Sequence, residues 1–426
     1  MLVQFNFKNY RCFKSETTLS LVASDKVEHS SNSIVKFEDY SILKTVVVYG
    51  ANASGKTKLF QAFSFMGRMI CGLAKDNKYD WQSNYEPFAL DEKVEDKSSS
   101  FEVIFIQKGS QYRYGFELNK DEILAEWLYK KGKSKEIEIF YRDDEDFSYH
   151  KTYIKSQLSD TIKSANMLRK DALLLTILPV WNNQLTITIV DWFMSVNVLS
   201  ATSRSGMAGY SIHCLNDSLM KGKMISMLKS ADINIDNLSI REANLDEIPD
   251  EIKKMLNTDS IGKGKIIDGI NTTHRTFDDN GLSHNSKSFS LETDESYGTY
   301  RMFALSAPII DTLENGKVLF IDEIDNGLHS DLLRAIVSLF QDAEINKNNA
   351  QLIINTHDLG LLDTPRIFKN DQIYISQKDR FGEASLTSLL SFDVDSDCSI
   401  SKLYREGKFG GVPYLLEFMK NVLSSK

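Results

Sequence analysis

The stretch that most restricts how this chain can fold is Gly50-Ala51-Asn52-Ala53-Ser54-Gly55-Lys56-Thr57, which fits GxxxxGK[ST] at every fixed position. It follows a β-branched run, Lys44–Tyr49, and precedes Leu59, Phe60, Phe63 and Met66, which fall at helical spacing. A strand that stops at a glycine and restarts as a helix aims several backbone N–H groups at one point, and the helix dipole adds to their pull on an anion. Glycine lets the backbone curl inward to do this. The pattern implies a phosphate loop for ATP, with Gly50, Asn52, Ala53, Ser54 and Gly55 around the phosphates. Lys56 is expected on the β- and γ-phosphates, and the Thr57 hydroxyl on Mg²⁺.

Two further apolar runs end in polar residues. Val318–Ile321 leads into Asp322-Glu323, and acids at the tip of a buried strand need a cation or a function. Asp322 is expected to hold Mg²⁺ and Glu323 to orient and polarise the attacking water. Gln351–Asn355 leads into Thr356-His357-Asp358. Ligands bind at the carboxyl ends of parallel strands, so His357 is expected beside the γ-phosphate. A helical pattern from about Asp331 to Asp342 separates the two runs, which implies a parallel strand–helix–strand unit.

At 426 residues the chain should form two or three packed units. Its net charge of -9 argues against a global basic field for nucleic acid. The basic stretch Lys130, Lys131, Lys133 and Lys135 reads as a solvated hairpin loop. Cys12, Cys71, Cys214 and Cys398 are far apart, with no CxxC spacing for zinc or a disulfide framework. The amino-terminal residues alternate like a strand and lack the apolar core of a signal peptide. The apolar runs are strand-length, too short to span a membrane, so a soluble cytoplasmic protein is expected.

Residues 2–7 read as a strand, and Phe101–Ile106 with Gln111–Leu118 as a hairpin around Lys108-Gly109-Ser110. Ile123–Tyr129 and Ile137–Tyr141 extend the same antiparallel layer. Ile154–Leu178, Ile187–Val198 and Pro249–Leu256 read as helices. The expected division is a first ATPase lobe at 1–145, a mostly helical insertion at 146–268, and a second lobe at 269–426.

The phosphate loop, Asp322-Glu323 and His357, in this order and after the opening Phe7-Lys8-Asn9-Tyr10-Arg11-Cys12-Phe13, resemble the ABC-type ATPase heads of the SMC, RecF and OLD group. The resemblance implies an α/β fold, a mixed sheet with an antiparallel lobe, carrying the helical insertion. Asp294-Glu295-Ser296-Tyr297-Gly298-Thr299 stands where such heads carry an LSGGQ-like signature, and keeps its serine and one glycine. This variant, with the tail Leu403–Pro413, is similar to compact phage-defence ATPases, the RloA-like proteins and the PARIS ATPase subunit. By that analogy Ser296 and Gly298 would close over the γ-phosphate of a second subunit's ATP, making a homodimer or higher oligomer. Asp325 resembles the D-loop acid of the same interface. His274 and His329 read as structural, and Gln82 and Gln107 are weak candidates for a Q-loop glutamine.

The expected activity is Mg-dependent ATP hydrolysis by a sensor or scaffold subunit, with an effector nuclease supplied in trans. The alternative is a RecF-like repair or chromosome-maintenance ATPase that binds duplex DNA. Asp393-Val394-Asp395 spells DxD but lies in an acidic loop-like stretch, so no nuclease is expected in this chain.

Overall fold

The computed structural model describes residues 1–72, 80–92, 98–144, 146–154, 170–178, 182–200, 204–244, 265–281, 283–363, 367–394 and 398–412. The first strands are β1 (Leu2–Lys8), β2 (Thr17–Ser20), β3 (Ile34–Phe37), β4 (Tyr40–Leu43) and β5 (Thr45–Tyr49), followed by helix α1 (Lys56–Cys71). Next come β6 (Ser99–Gln107), β7 (Ser110–Leu118), β8 (Ile123–Lys131), β9 (Glu136–Arg142), β10 (Phe147–Tyr149), α2 (Gln184–Ser195) and β11 (Val196–Leu199). Helices α3 (Arg204–Cys214) and α4 (Ser218–Ser230) precede β12 (Asn237–Asn244), β13 (Lys265–Phe277), β14 (Ser283–Ser290) and α5 (Tyr297–Asn315). The chain continues through β15 (Val318–Ile321), α6 (Ser330–Gln341), β16 (Gln351–Asn355), β17 (Ile373–Lys378), β18 (Ala384–Ser388) and α7 (Ile400–Arg405). Among the described residues no helix is long and apolar enough to cross a membrane.

The chain divides into two units. One comprises 1–199, 312–324 and 333–426; the other comprises 200–311 and 325–332. In the first, a six-stranded sheet runs β11-β15-β16-β5-β17-β18 and a seven-stranded antiparallel sheet runs β10-β9-β8-β7-β6-β1-β2. β11, β15, β16, β5 and β17 are mutually parallel, and β18 pairs antiparallel at the edge. This is a mixed sheet with an antiparallel lobe. The second unit carries the antiparallel sheet β12-β13-β14 with α3 and α4.

The buried parallel strands are continuous apolar runs, as strands covered on both faces must be. Helix α1 joins the two sheets of the first unit. Phe63 stacks on Phe320 of β15 with centroids 4.6 Å apart and meets Phe5 of β1 edge-on at 5.1 Å. Each such pair contributes about 0.5–1.5 kcal/mol beyond area burial.

The hairpin and the antiparallel layer form where alternation places them. The expected insertion differs in places. Val196–Leu199 is not helical: it forms β11 and pairs in parallel with β15, Val196 opposite Val318. No glycine or proline marks the break after Ser195, and the partner strand lies far along the sequence, so periodicity alone extended the helix. Asn237–Asn244 also forms a strand, held by β13. Of Ile154–Leu178, residues 155–169 lie outside the described residues, and Leu174–Ile177 is a short helical turn. Pro249–Leu256 lies wholly outside them.

One charged node is buried in the antiparallel lobe. Glu126 on β8 is fully buried and accepts from Arg142 Nε at 2.9 Å, Tyr114 Oη at 2.9 Å, Leu174 N at 2.6 Å and Leu175 N at 2.9 Å. A carboxylate can be buried only if so satisfied. It caps the Leu174–Ile177 turn and ties it to β7 and β9. Glu126→Ala should therefore cost about 3–5 kcal/mol, because it removes the carboxylate that balances a buried guanidinium. Urea unfolding checks this, and a loss under about 1 kcal/mol would contradict the role assigned to the node.

Candidate nucleotide site

The parallel register brings the carboxyl ends of four strands into line. Ile321 lies opposite Ile354, Asn355 opposite Val48, and Tyr49 opposite Ile375. Asp322, Asn355, Gly50 and Ser376 therefore sit at one edge of the sheet, where a parallel sheet receives ligands.

At Gly50 the chain leaves β5 through a gap with no room for a side chain. A Cβ there would overlap the Ser376 carbonyl oxygen and Ser54 Oγ. Ala53 has φ 63 and Gly55 φ 114, so the loop curls through the left-handed region before α1 begins. Ser376 Oγ donates to Ser54 O at 3.0 Å and ties the loop to β17. Ser54 Oγ is buried, with no hydrogen-bond partner among the described residues. Lys56 is buried, and its Nζ donates to Gly50 O at 2.8 Å and Ala51 O at 3.0 Å. The ammonium is thus held within the loop.

The opening Phe7–Phe13 segment packs against the start of α1. A Cβ on Gly55 would lie 3.1 Å from Phe13 Cζ and 3.2 Å from Cys12 Sγ. Asn9 and Arg11 take φ 52 and φ 54, which folds this segment into a tight turn. Burial pushes the Cys12 thiol above its ordinary range, and Lys378 nearby opposes that shift.

Thr57 Oγ1 donates to Asp322 Oδ1 at 3.0 Å, so the residue that ends the phosphate loop meets the first acid of β15. A hydroxyl and a carboxylate side by side are the hard oxygen donors that suit Mg²⁺, which takes few protein ligands and keeps waters or phosphate oxygens for the rest. The residues present fit such an ion. Among the described residues no group of three or more His, Cys, Asp or Glu gathers into a self-sufficient metal cage.

Asn355, two residues before His357, belongs to no motif of the sequence. It is fully buried at the end of β16. Its Nδ2 donates to Asp322 Oδ1 at 2.6 Å, and its Oδ1 accepts from Glu323 N at 2.7 Å. One amide thereby holds the carboxylate of one acid and the backbone of the next. Glu323 needs that hold, because it sits at φ 48, an uncommon conformation for a residue with a side chain. The available signal was chemical: an asparagine ending an all-apolar strand must find partners in the interior.

His357 is exposed and lines the same cleft as Gly50–Ser54. The cleft measures about 750 Å³, and the wall beside the loop comes from the ends of β17 and α7 and from the turn Glu406–Val412.

In the second unit Ser296 Oγ accepts from Thr299 N at 3.0 Å, so it caps the start of α5. A Cβ on Gly298 would meet Gly327 O at 2.6 Å, so close backbone packing by itself calls for glycine there. Glu295 Oε1 accepts from Thr272 Oγ1 at 2.6 Å and lies 2.7 Å from His274 Nε2, a structural pairing. His329 is exposed beside the start of α6, and its Nδ1 accepts from Asp331 N at 3.3 Å. Gln82 donates to Asp121 O, and Gln107 closes the β6–β7 hairpin; neither lines the cleft.

The sequence profile of the family described as "AAA domain, putative AbiEii toxin, Type IV TA system" matches residues 46–189 and 214–363, more than half of the chain. The chain belongs to that family. The match spans the phosphate loop, both acids and His357, so this AAA domain carries an ATPase-type nucleotide fold. No curated protein matches the chain. Among solved structures it is similar to the SmcHead bound to the C-winged helix domain of ScpA, at 12% identity and a TM-score of 0.42, covering 95% of this chain and 99% of that one. It is also similar to the SMC head domain from Thermotoga maritima, at 11% identity and a TM-score of 0.37, covering 91% and 98%.

Asn355→Ala should lower the unfolding free energy by about 1–3 kcal/mol by leaving buried groups unpaired. Asn355→Asp should be worse at pH 8, since it sets a second carboxylate against Asp322. Such a pair raises its own pKa in the folded state, so this variant should gain stability as pH falls toward about 5. Urea unfolding at several pH values checks both. An Asn355→Asp protein as stable as wild type at pH 8 would contradict the bridging geometry.

Proposed function

We propose that this AAA-domain protein is a Mg-dependent ATPase whose heads pair around ATP. The observation that carries the reading is the 3.0 Å contact between Thr57 Oγ1 and Asp322 Oδ1 at the mouth of the phosphate loop. In this reading the amides of Gly50, Asn52, Ala53, Ser54 and Gly55 cradle the phosphates, and Lys56 turns from the loop carbonyls to the β- and γ-phosphates. Thr57 and Asp322 hold Mg²⁺, which when bound offsets the charge of the phosphate oxygens. Glu323 accepts a proton from the attacking water as the bond to the β–γ bridging oxygen breaks and ADP leaves. His357, on the cleft wall, hydrogen-bonds the γ-phosphate. Asn355 keeps the two acids in their places.

Ser296 and Gly298 begin a helix of 19 residues, whose N-terminus suits an anion. In the proposed pair they complete the partner subunit's site, giving two ATPs between two heads, with Asp325 at the same interface. The biological role we propose is that of a cytoplasmic sensor or scaffold in anti-phage defence, signalling to an effector nuclease in trans. The family description, a putative toxin of a toxin–antitoxin system, supports a partner-dependent role.

Four outcomes are expected. Lys56→Ala should abolish ATP binding by calorimetry. Glu323→Gln should keep ATP and Mg²⁺ binding yet slow turnover by roughly 10²–10⁴; turnover within about twofold of wild type would remove Glu323 from the catalytic role. Ser296→Arg should bind ATP but not hydrolyse it. Mixing it with Lys56→Ala should restore partial activity, because one composite site in a mixed pair is then intact. Normal hydrolysis by Ser296→Arg alone would end the shared-site idea.

A further inference from the structure

The tail after β18 plays no part in the reaction just proposed, yet it lines the cleft. Helix α7 is closed two residues past Arg405 by Gly407, with φ 77. Gly407 N donates to Tyr404 O and Lys408 N to Leu403 O, the bond pair that closes a helix on a left-handed glycine. Gly410 and Gly411 follow, both at φ 70, where a side chain would be strained.

Space also excludes side chains there. A Cβ on Gly411 would lie 2.9 Å from Ile375 Cγ2, 3.3 Å from Ser376 O and 3.4 Å from Gly50 Cα, and one on Gly410 would overlap Gln377 Oε1. The Tyr404 hydroxyl donates to Gly411 O at 2.7 Å, and its ring lies 6.0 Å from that of Tyr49. Burial pushes the Tyr404 phenol up to about 12, so it stays a donor at neutral pH. Phe409 is buried 5.2 Å from Phe392. The turn is therefore pressed onto the first glycine of the phosphate loop and anchored on both sides.

Two cations stand on this wall: Arg405 at the end of α7 and Lys378 at the end of β17. Both are exposed, and neither has a carboxylate partner among the described residues. Glu406 is the one acid on the described lining. A cleft of about 750 Å³ is the size of a small-molecule site, and one with cations on a wall that adjoins a phosphate loop is complementary to a polyphosphate.

We propose that the C-terminal turn is a subsite of the nucleotide cleft. Arg405 and Lys378 bind the polyphosphate of a nucleoside triphosphate, while Gly407–Gly411 hold that wall against the phosphate loop. The inference rests on the nucleotide-binding reading above. The glycines set the wall's position: both take φ 70, which strains any side chain, and a Cβ at Gly411 would also press on Ile375 and the Ser376 carbonyl. The cations then add their charge at the wall beside the phosphate loop.

The test is calorimetry on the full chain with ATP, ADP and AMP. For Arg405→Ala/Lys378→Ala, ATP affinity should fall about tenfold or more with AMP affinity unchanged, and Arg405→Lys should retain most of the ATP affinity. Both positions are exposed, so the fold should tolerate these changes. Wild-type ATP affinity in the double variant would overturn the subsite. An equal loss for ATP and AMP would also overturn it, by moving the cations to the nucleoside. Lys56→Ala separates this failure from that of the parent reading. If that variant loses ATP while Arg405→Ala/Lys378→Ala does not, the phosphate loop stands and only the C-terminal subsite falls.

Discussion

Thr57 and Asp322 are 265 residues apart in sequence and share one hydrogen bond. That bond can exist only if β5, β16 and β15 end in register, because a slip of one residue in either pairing would turn the acid to the other face. The parallel sheet is the device that brings the phosphate loop and the acidic strand to a common edge. Asn355, on the strand between them, is the spacer: its amide reaches Asp322 on one side and the Glu323 backbone on the other.

The rest of the first unit serves to hold that edge still. Helix α1 carries Lys56 and Thr57 at its start, and its buried face is fixed by Phe63 between Phe5 of the antiparallel sheet and Phe320 of the acidic strand. A shift of α1 would have to disturb the stacking on the strand that carries Asp322. The Glu126 node anchors the Leu174–Ile177 turn onto the antiparallel lobe in the same way, by polar bonds in place of apolar contact.

Several residues with unusual backbone conformations lie at or beside the cleft, while others, such as Lys108 and Asn349, lie in loops elsewhere. Ala53, Gly55 and Glu323 all lie at positive φ, as do Gly407, Gly410 and Gly411 on the adjoining wall of the cleft. Each is held by neighbours: the Ser376 bond to the loop, the Asn355 bond to Glu323, and the Tyr404 bond to Gly411. Strain persists where surrounding structure over-determines it, and such places are enriched at functional sites.

The phosphate loop, the two acids and His357 stand out in the sequence because each belongs to a local pattern, an apolar strand broken by glycine, acid or imidazole. The first hairpin and the parallel strand–helix–strand unit of Val318–Ile321 and Gln351–Asn355 were legible for the same reason. β11 and β12 were not, since a short strand without punctuation owes its conformation to a partner elsewhere in the chain, and periodicity carries no trace of that partner. Asn355 and the C-terminal glycine turn were in view as residues but not as parts of a site. Their neighbours, Asp322 and Glu323 for the one and Gly50 and Ser376 for the other, are assembled only by the register of the sheet. The sequence by itself determined which side chains are available for nucleotide chemistry, because glycine, lysine and carboxylate at those spacings have few other uses. Tertiary structure alone decided which distant residues hold that chemistry in place, because hydrogen bonds and close backbone contacts depend on distance in space and not along the chain.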